Sequence, residues 1–212
     1  MSVVIHAFPL SPRSFKVLWA AHQLDIAYDM KFVDFSRQAQ RAPSYLRLNP
    51  NGLAPVLEHD GFVLWESNAI LEYLASLGPG LVPSDTRGRL SISKWLYWES
   101  TQWDRACAIF AFERVVKPLF GLGETLQSEI DRGTVLFERA AKVLDGQLAQ
   151  HRFVAGDVLS AADIALGSAF CLAEQARFPI EAHPSIVRWK AELAELPSWH
   201  ETAALAGPRS ND

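Results

Sequence analysis

The chain has 212 residues, enough for one large domain or two small ones, and 49% of them are hydrophobic with both charge signs mixed, the composition of a packed globule and not of a disordered chain. Its 20 basic and 24 acidic side chains leave a formal charge of -4, so no basic stripe is available for a phosphate backbone and nucleic acid is not an expected partner. No apolar run approaches the roughly 18 residues of a membrane span, and Met1 to Leu10 lacks the charged start and apolar core of a secretory signal, so no membrane association and a cytoplasmic location are expected.

In chain order, Val3-Val4-Ile5 and Tyr28 to Val33 read as short strands, while Phe15 to Leu24 and Ser67 to Leu77 carry apolar residues at helical spacing. Between them Val56 to Trp65 reads as two strands joined by Asp60-Gly61, the strongest short-range hairpin signal. The order is therefore β-α-β-α-β-β-α, a parallel crossover combined with an antiparallel hairpin. Gly78-Pro79-Gly80-Leu81-Val82-Pro83 then breaks regular structure, which places a domain boundary there: an α/β domain over residues 1–79 and an all-α domain over 84–212. In the second domain Arg87 to Val116, Thr125 to Gln150, Ser160 to Ala176 and Pro184 to Leu196 have helical periodicity. Ser160-Ala161-Ala162-Asp163 has capping-box spacing ahead of Ile164-Ala165-Leu166, so a helix is expected to start at Ser160, a structural role without chemistry. The tail Gly207 to Asp212 is expected to fray.

Cys107 and Cys171 lie far apart in apolar helical stretches, which suits buried thiols and not a disulfide framework or a C-x-x-C pair. Without clustered Cys or His ligands, no metal site is expected.

Four stretches of the first domain carry a functional signal, although each also has a purely structural explanation. Ser11-Pro12-Arg13-Ser14 lies between a strand and a helix, where Ser11 is a candidate N-cap and Pro12 a first helical residue; a hydroxyl there can equally donate to an anion held at the helix N-terminus. Gln40-Arg41-Ala42-Pro43 precedes Asn49-Pro50-Asn51-Gly52, and its polar side chains can simply be solvated. Ala54-Pro55 opens the hairpin, where spacing alone favours a trans bond. At its end Glu66-Ser67-Asn68 can either cap the next helix or recognise a free amino-acid end, the acid meeting an ammonium group and the serine a carboxylate.

Taken together and in order, these stretches resemble the cytosolic glutathione transferases over almost the whole chain, closest to the serine-type bacterial theta-, nu- and phi-like groups. The resemblance implies a thioredoxin-like first domain that binds glutathione and a helical-bundle second domain that bears the electrophile site. It assigns Ser11, six residues before Val17, as the catalytic hydroxyl that donates to the glutathione sulfur, with Ser14 as the runner-up. It further implies that Gln40 and Arg41 hold the glycyl end, that Pro55 is cis with the Ala54 backbone pairing the cysteinyl part, and that Glu66-Ser67 hold the γ-glutamyl end. Ala155-Gly156-Asp157 through Asp163 resembles the family's folding motif. The chain departs from many relatives in having Ala54 before the proline and Leu53 before that, which removes a side-chain hydrogen bond there. No tyrosine lies near the first strand and no cysteine near Ser11, which disfavours the tyrosine and cysteine types and, with them, thiol exchange.

A free thiol titrates near pH 8.5, so the catalytic task is to lower that value when glutathione is bound. Ser11 and the positive end of its helix are the means, and no neighbouring His-Asp partnership suggests a hydrolase triad. The electrophile is expected in an apolar cleft between domains, with Trp98 and Trp103 of the aromatic run Trp95 to Trp103 as candidate walls, although such a stripe also suits core or subunit interface. The expected enzyme adds glutathione, its co-substrate, to a small hydrophobic electrophile in a detoxification role, and the resemblance implies a homodimer. The alternatives are a glutathione-dependent isomerase, dehalogenase or peroxidase using the same thiolate, or a glutathione-transferase-like binding protein without catalysis.

Overall fold

The computed structural model describes residues 3–206, so the tail 207–212 lies outside the described residues. The chain divides into two compact units, residues 1–79 with 195–212, and residues 80–194.

The first unit opens with β1 (Val3–Ala7), whose alternate residues Val3, Ile5 and Ala7 are buried, as a half-buried strand requires. α1 (Pro12–Gln23) follows with Pro12 at its first position, where the missing N–H costs no hydrogen bond. It carries the crossover to β2 (Tyr28–Phe32), which lies parallel to β1 with Ile5 opposite Met30. Two 3-10 turns, Phe35–Arg37 and Ala39–Arg41, lead into the short α2 (Pro43–Leu46). β3 (Val56–His59) and β4 (Phe62–Trp65) form the expected hairpin. Its turn residues Asp60 and Gly61 both have positive φ, the backbone for which an Asp-Gly pair is suited. α3 (Ser67–Leu77) closes the motif. The sheet order is β2-β1-β3-β4, with β3 antiparallel to both neighbours. This is the thioredoxin-like arrangement with its mixed four-stranded sheet.

The compact units divide the chain differently from an all-α domain over 84–212, since among the described residues Glu195 to Ala206 groups with the first unit. The reason is α11 (Pro197–Ala204), which lies along α1. Trp19 Nε1 donates to Ser198 Oγ at 3.0 Å, Ser198 Oγ donates to Gln23 Oε1 at 2.6 Å, and the Trp199 ring sits 4.8 Å from Phe15 and 4.9 Å from Trp19. Beside them Thr202 Oγ1 donates its proton to the Ser198 carbonyl, so it must accept from His22 Nδ1 at 2.7 Å. That leaves His22 Nε2 as an acceptor for the Tyr28 hydroxyl at 2.9 Å, a network that requires neutral His22. Burial accordingly lowers the His22 pKa, opposed by the nearby Glu201 charge.

The second unit contains no strand among the described residues. The span Arg87 to Val116, which reads as a single helix, is interrupted: α4 (Thr86–Trp98), a π turn over Glu99–Trp103, α5 (Asp104–Ala111), a second π turn over Phe112–Val116, then α6 (Lys117–Phe120). α7 (Gln127–Leu148) follows. The stretch Ser160 to Ala176 divides into α8 (Ala161–Gly167), a 3-10 segment and α9 (Ala173–Ala176), and α10 spans Pro184–Ala194. The core is aromatic, with the rings of Trp103, Phe110, Phe137, Phe170, Phe178 and Trp189 in successive contact.

The capping box at Ser160 forms, and its acid does more than cap. Asp163 is fully buried; Oδ2 accepts from Ser160 N–H and Oγ, while Oδ1 accepts from Val154 N–H at 2.8 Å and Trp189 Nε1 at 3.0 Å. One carboxylate thus joins the 154–160 loop, α8 and α10. Among the described residues no helix is long and apolar enough to cross a membrane.

Candidate active site

The sheet register gathers the four sequence stretches at one end. β2 runs parallel to β1, β3 antiparallel to β1, and β4 antiparallel to β3. The C-terminal ends of β1, β2 and β4 and the N-terminal start of β3 therefore share an edge. From these emerge Ser11, the Gln40-Arg41 segment, Glu66-Ser67 and Ala54-Pro55 respectively.

Ser11 is the N-cap residue of α1 by backbone conformation, its carbonyl accepting from Phe15 N–H at 2.8 Å, yet its hydroxyl makes no capping bond. It is partly exposed, at the positive end of a helix with no acid in its first turn. Ser14 differs: it is 0% exposed, and its Oγ accepts from the Phe8 N–H at 3.1 Å. Ser14 fastens α1 to the end of β1.

Gln40 and Arg41 lie in the second 3-10 turn. Arg41 is exposed, whereas Gln40 Oε1 is buried without a hydrogen-bond partner, an arrangement that calls for an explanation in a folded protein. The turn 49–52 closes over this pair because Gly52 has φ +63, and a Cβ there would meet Arg41 Nη1 and the Gln40 carbonyl at 3.0 Å.

The Leu53 carbonyl receives two donors, Tyr45 Oη at 2.9 Å and the buried Asn49 side chain at 2.8 Å. Burial pushes the Tyr45 pKa up to about 12, so its hydroxyl stays a donor. Together they fix the approach to Ala54-Pro55, whose peptide bond is cis, as the resemblance implies and against the trans form that spacing alone favours. Ala54 lies two residues ahead of β3, outside the register of both ladders.

Glu66 is exposed and has φ 73, ψ 114, a left-sided conformation rare for a residue with a side chain and held only where the surroundings enforce it. Its carbonyl accepts from Ile70 N–H at 2.9 Å, so Glu66 is the N-cap residue of α3 and the buried Ser67 its first helical residue. With Ser67 as the capping residue the helix would begin at Asn68; it begins one residue earlier.

Lys16 was not anticipated. It is 1% exposed, and its ammonium donates to Ser67 Oγ at 3.2 Å and Asn68 Oδ1 at 2.7 Å. The signal is present in the sequence: Lys16 sits in Phe15-Lys16-Val17-Leu18-Trp19-Ala20-Ala21, a helix apolar all round, where a cation has no route to water.

The two tryptophans separate. Trp103 is 0% exposed and donates from Nε1 to the Leu166 carbonyl at 3.0 Å, so it is a core residue and not a pocket wall. Trp98 borders a pocket of about 350 Å³ within the helical unit, together with Lys94, Trp95, Val143, Gly146, Gln147 and Gln150. Cys107 is buried and its thiol pKa is pushed well up by burial and by the Asp104 and Glu99 charges, while burial raises that of Cys171 to about 12. Both are free thiols and poor nucleophiles.

Residues 1–76 match the family model for the glutathione S-transferase N-terminal domain, and residues 102–197 match that for the C-terminal domain. Glutathione S-transferase 3 of Zea mays is 30% identical over 210 residues, covering 94% of this chain and 92% of the relative. The chain belongs to the glutathione S-transferase family. Its structural likeness extends over the whole chain: maize glutathione S-transferase I in complex with an atrazine glutathione conjugate superposes with a TM-score of 0.89 at 25% identity, over 99% of this chain and 100% of the other. The theta class glutathione S-transferase of Xanthomonas axonopodis pv. citri with glutathione bound gives 0.86 at 29% identity, over 95% and 97%. As a member of this family the chain is an enzyme, a glutathione transferase. Plant, animal and bacterial relatives all match, so its class within the family is not assigned by these likenesses.

Proposed function

We infer that this glutathione transferase holds the thiolate of its co-substrate through the Ser11 hydroxyl and adds it to a small hydrophobic electrophile. The observation that carries this reading is the contrast between the two serines: Ser11 keeps an uncommitted hydroxyl at the positive end of α1, whereas the Ser14 hydroxyl is buried against Phe8 N–H. A hydroxyl donating to sulfur and the helix N-terminus both favour the anion over the neutral thiol, and each pKa unit is worth about 1.4 kcal/mol. Ser11 therefore acts as a donor to a bound thiolate and not as a nucleophile. With both cysteines held as thiols, the attacking sulfur is that of glutathione.

In this reading the unpartnered Gln40 Oε1 and the neighbouring Arg41 meet the glycyl end of glutathione. The Ala54 main chain pairs with the cysteinyl part beside cis Pro55, and Glu66 and Ser67 meet the ammonium and carboxylate of the γ-glutamyl end. Trp98, the indole with surface to offer, is the candidate wall for the electrophile.

A cytoplasmic homodimer belongs to the same proposal. β4 is an edge strand that leaves Phe62 48% and Trp65 38% exposed with Val63 between them, and an apolar edge of this kind is normally covered. The ultraviolet thiolate absorbance on titrating glutathione at neutral pH, with wild type beside Ser11→Ala, tests the central step. A saturable signal that falls in the variant supports it; no thiolate and no binding in wild type overturns it. A glutathione adduct among the products separates conjugation from isomerisation, which returns glutathione.

A further inference from the structure

We propose that Lys16 is a positioning residue for the γ-glutamyl carboxylate of glutathione, acting through Ser67 and Asn68; this deepens the reading of Glu66-Ser67 given above and rests on it. The ammonium group has hydrogens to give and no lone pair to receive with. Ser67 Oγ, 3.2 Å from Lys16 Nζ, is therefore an acceptor toward the helix α1 side, and its own proton is available on the other side. A serine hydroxyl normally rotates between donor and acceptor roles; this contact fixes which role it offers a ligand. Asn68 Oδ1 accepts from the same ammonium at 2.7 Å, which holds Lys16 Nζ in place beside Ser67 Oγ.

The three groups stand at the first turn of α3, which has no acidic residue of its own and no side-chain cap. Backbone N–H groups there are likewise donors. The Ser67 hydroxyl and the first-turn N–H groups are thus donors, which matches a carboxylate and not an ammonium group. Glu66, one residue earlier and exposed, supplies the opposite sign. Lys16 is what makes the division between the two ends of the amino-acid group unambiguous. Its near-complete burial keeps the ammonium away from bulk water, beside Ser67 and Asn68.

The test is calorimetric titration of the full chain, as wild type, Lys16→Met and Lys16→Gln, with three tripeptides: glutathione, an analogue with 4-aminobutanoyl in place of γ-glutamyl, which lacks the carboxylate, and one with glutaryl, which lacks the ammonium. Lys16→Met is expected to weaken glutathione and the glutaryl analogue about tenfold, a loss of one charge-assisted hydrogen bond, and to leave the 4-aminobutanoyl analogue unchanged. Lys16→Gln, neutral but still a donor, shows the same selectivity with a smaller loss, and it carries the comparison if the methionine variant does not fold. An equal weakening of all three ligands, or none, overturns the proposal and leaves Lys16 a packing residue. A wild type that does not distinguish glutathione from the 4-aminobutanoyl analogue overturns the underlying assignment of Ser67 instead.

Discussion

Replacing Ser11 with alanine should raise the pKa of bound glutathione by about one to two units. The estimate follows from the hydroxyl alone: a hydrogen bond to a charged acceptor is worth roughly 1.5–3 kcal/mol, and one pKa unit is about 1.4 kcal/mol. The contribution of the α1 N-terminus survives the substitution, because the backbone there is set by Pro12 and by the Ser11 carbonyl bond to Phe15. At pH values below both titrations, the conjugation rate should therefore fall about 10–100-fold, in proportion to the lost thiolate. The assay is a pH titration of thiolate absorbance at saturating glutathione, read beside the pH profile of the conjugation rate. Ser14→Ala is the control. It removes a buried acceptor from Phe8 N–H, so it should cost roughly 1–3 kcal/mol of stability and leave the thiolate titration where it was. If Ser14→Ala moves the titration and Ser11→Ala does not, the assignment of the hydroxyl is wrong.

Asp163→Ala removes the acceptor for two buried N–H groups, a hydroxyl and an indole; urea unfolding should show a loss of at least about 4 kcal/mol, from about 1–3 for each of these donors left unpaired. His22 has a lowered pKa in the folded chain, so between that value and the unfolded 6.5 the unfolded state binds more protons. Stability should be complete above pH 6.5 and decline as pH falls through the folded value, and His22→Gln should flatten that decline in melting curves; an unchanged slope removes His22 as its source. For the edge strand, Phe62→Glu with Trp65→Glu should convert a sedimenting dimer to a monomer, and a wild type that already sediments as a monomer refutes the homodimer.

The parts of this molecule that are legible in its sequence are those whose causes are local. The Asp60-Gly61 turn, the capping box at Ser160 and Asp163 and the proline opening α1 each depend on residues within a turn of one another, and they form as their spacing predicts. The outline of the site is legible for a related reason, since each of its stretches sits where a strand meets a turn or helix. What the sequence leaves open depends on partners far along the chain. Ser11 and Ser14 are three residues apart on one helix, and only the position of the Phe8 N–H shows which hydroxyl is committed. The π turns after Trp98 and Ala111 keep the apolar periodicity nearly intact while admitting an extra residue per turn, so the pattern reads as one helix. Trp98 and Trp103 are alike as letters; the Leu166 carbonyl, on another helix, makes one of them core. The docking of α11 rests on Trp19, Gln23 and His22, which lie some 175 to 180 positions before their partners. Lys16 falls between these cases. Its apolar neighbours announce burial, and so a polar partner, but the choice of Ser67 and Asn68 requires α1 and α3 to lie side by side on the sheet, and that choice is what turns a buried lysine from a packing cost into a means of orienting the site.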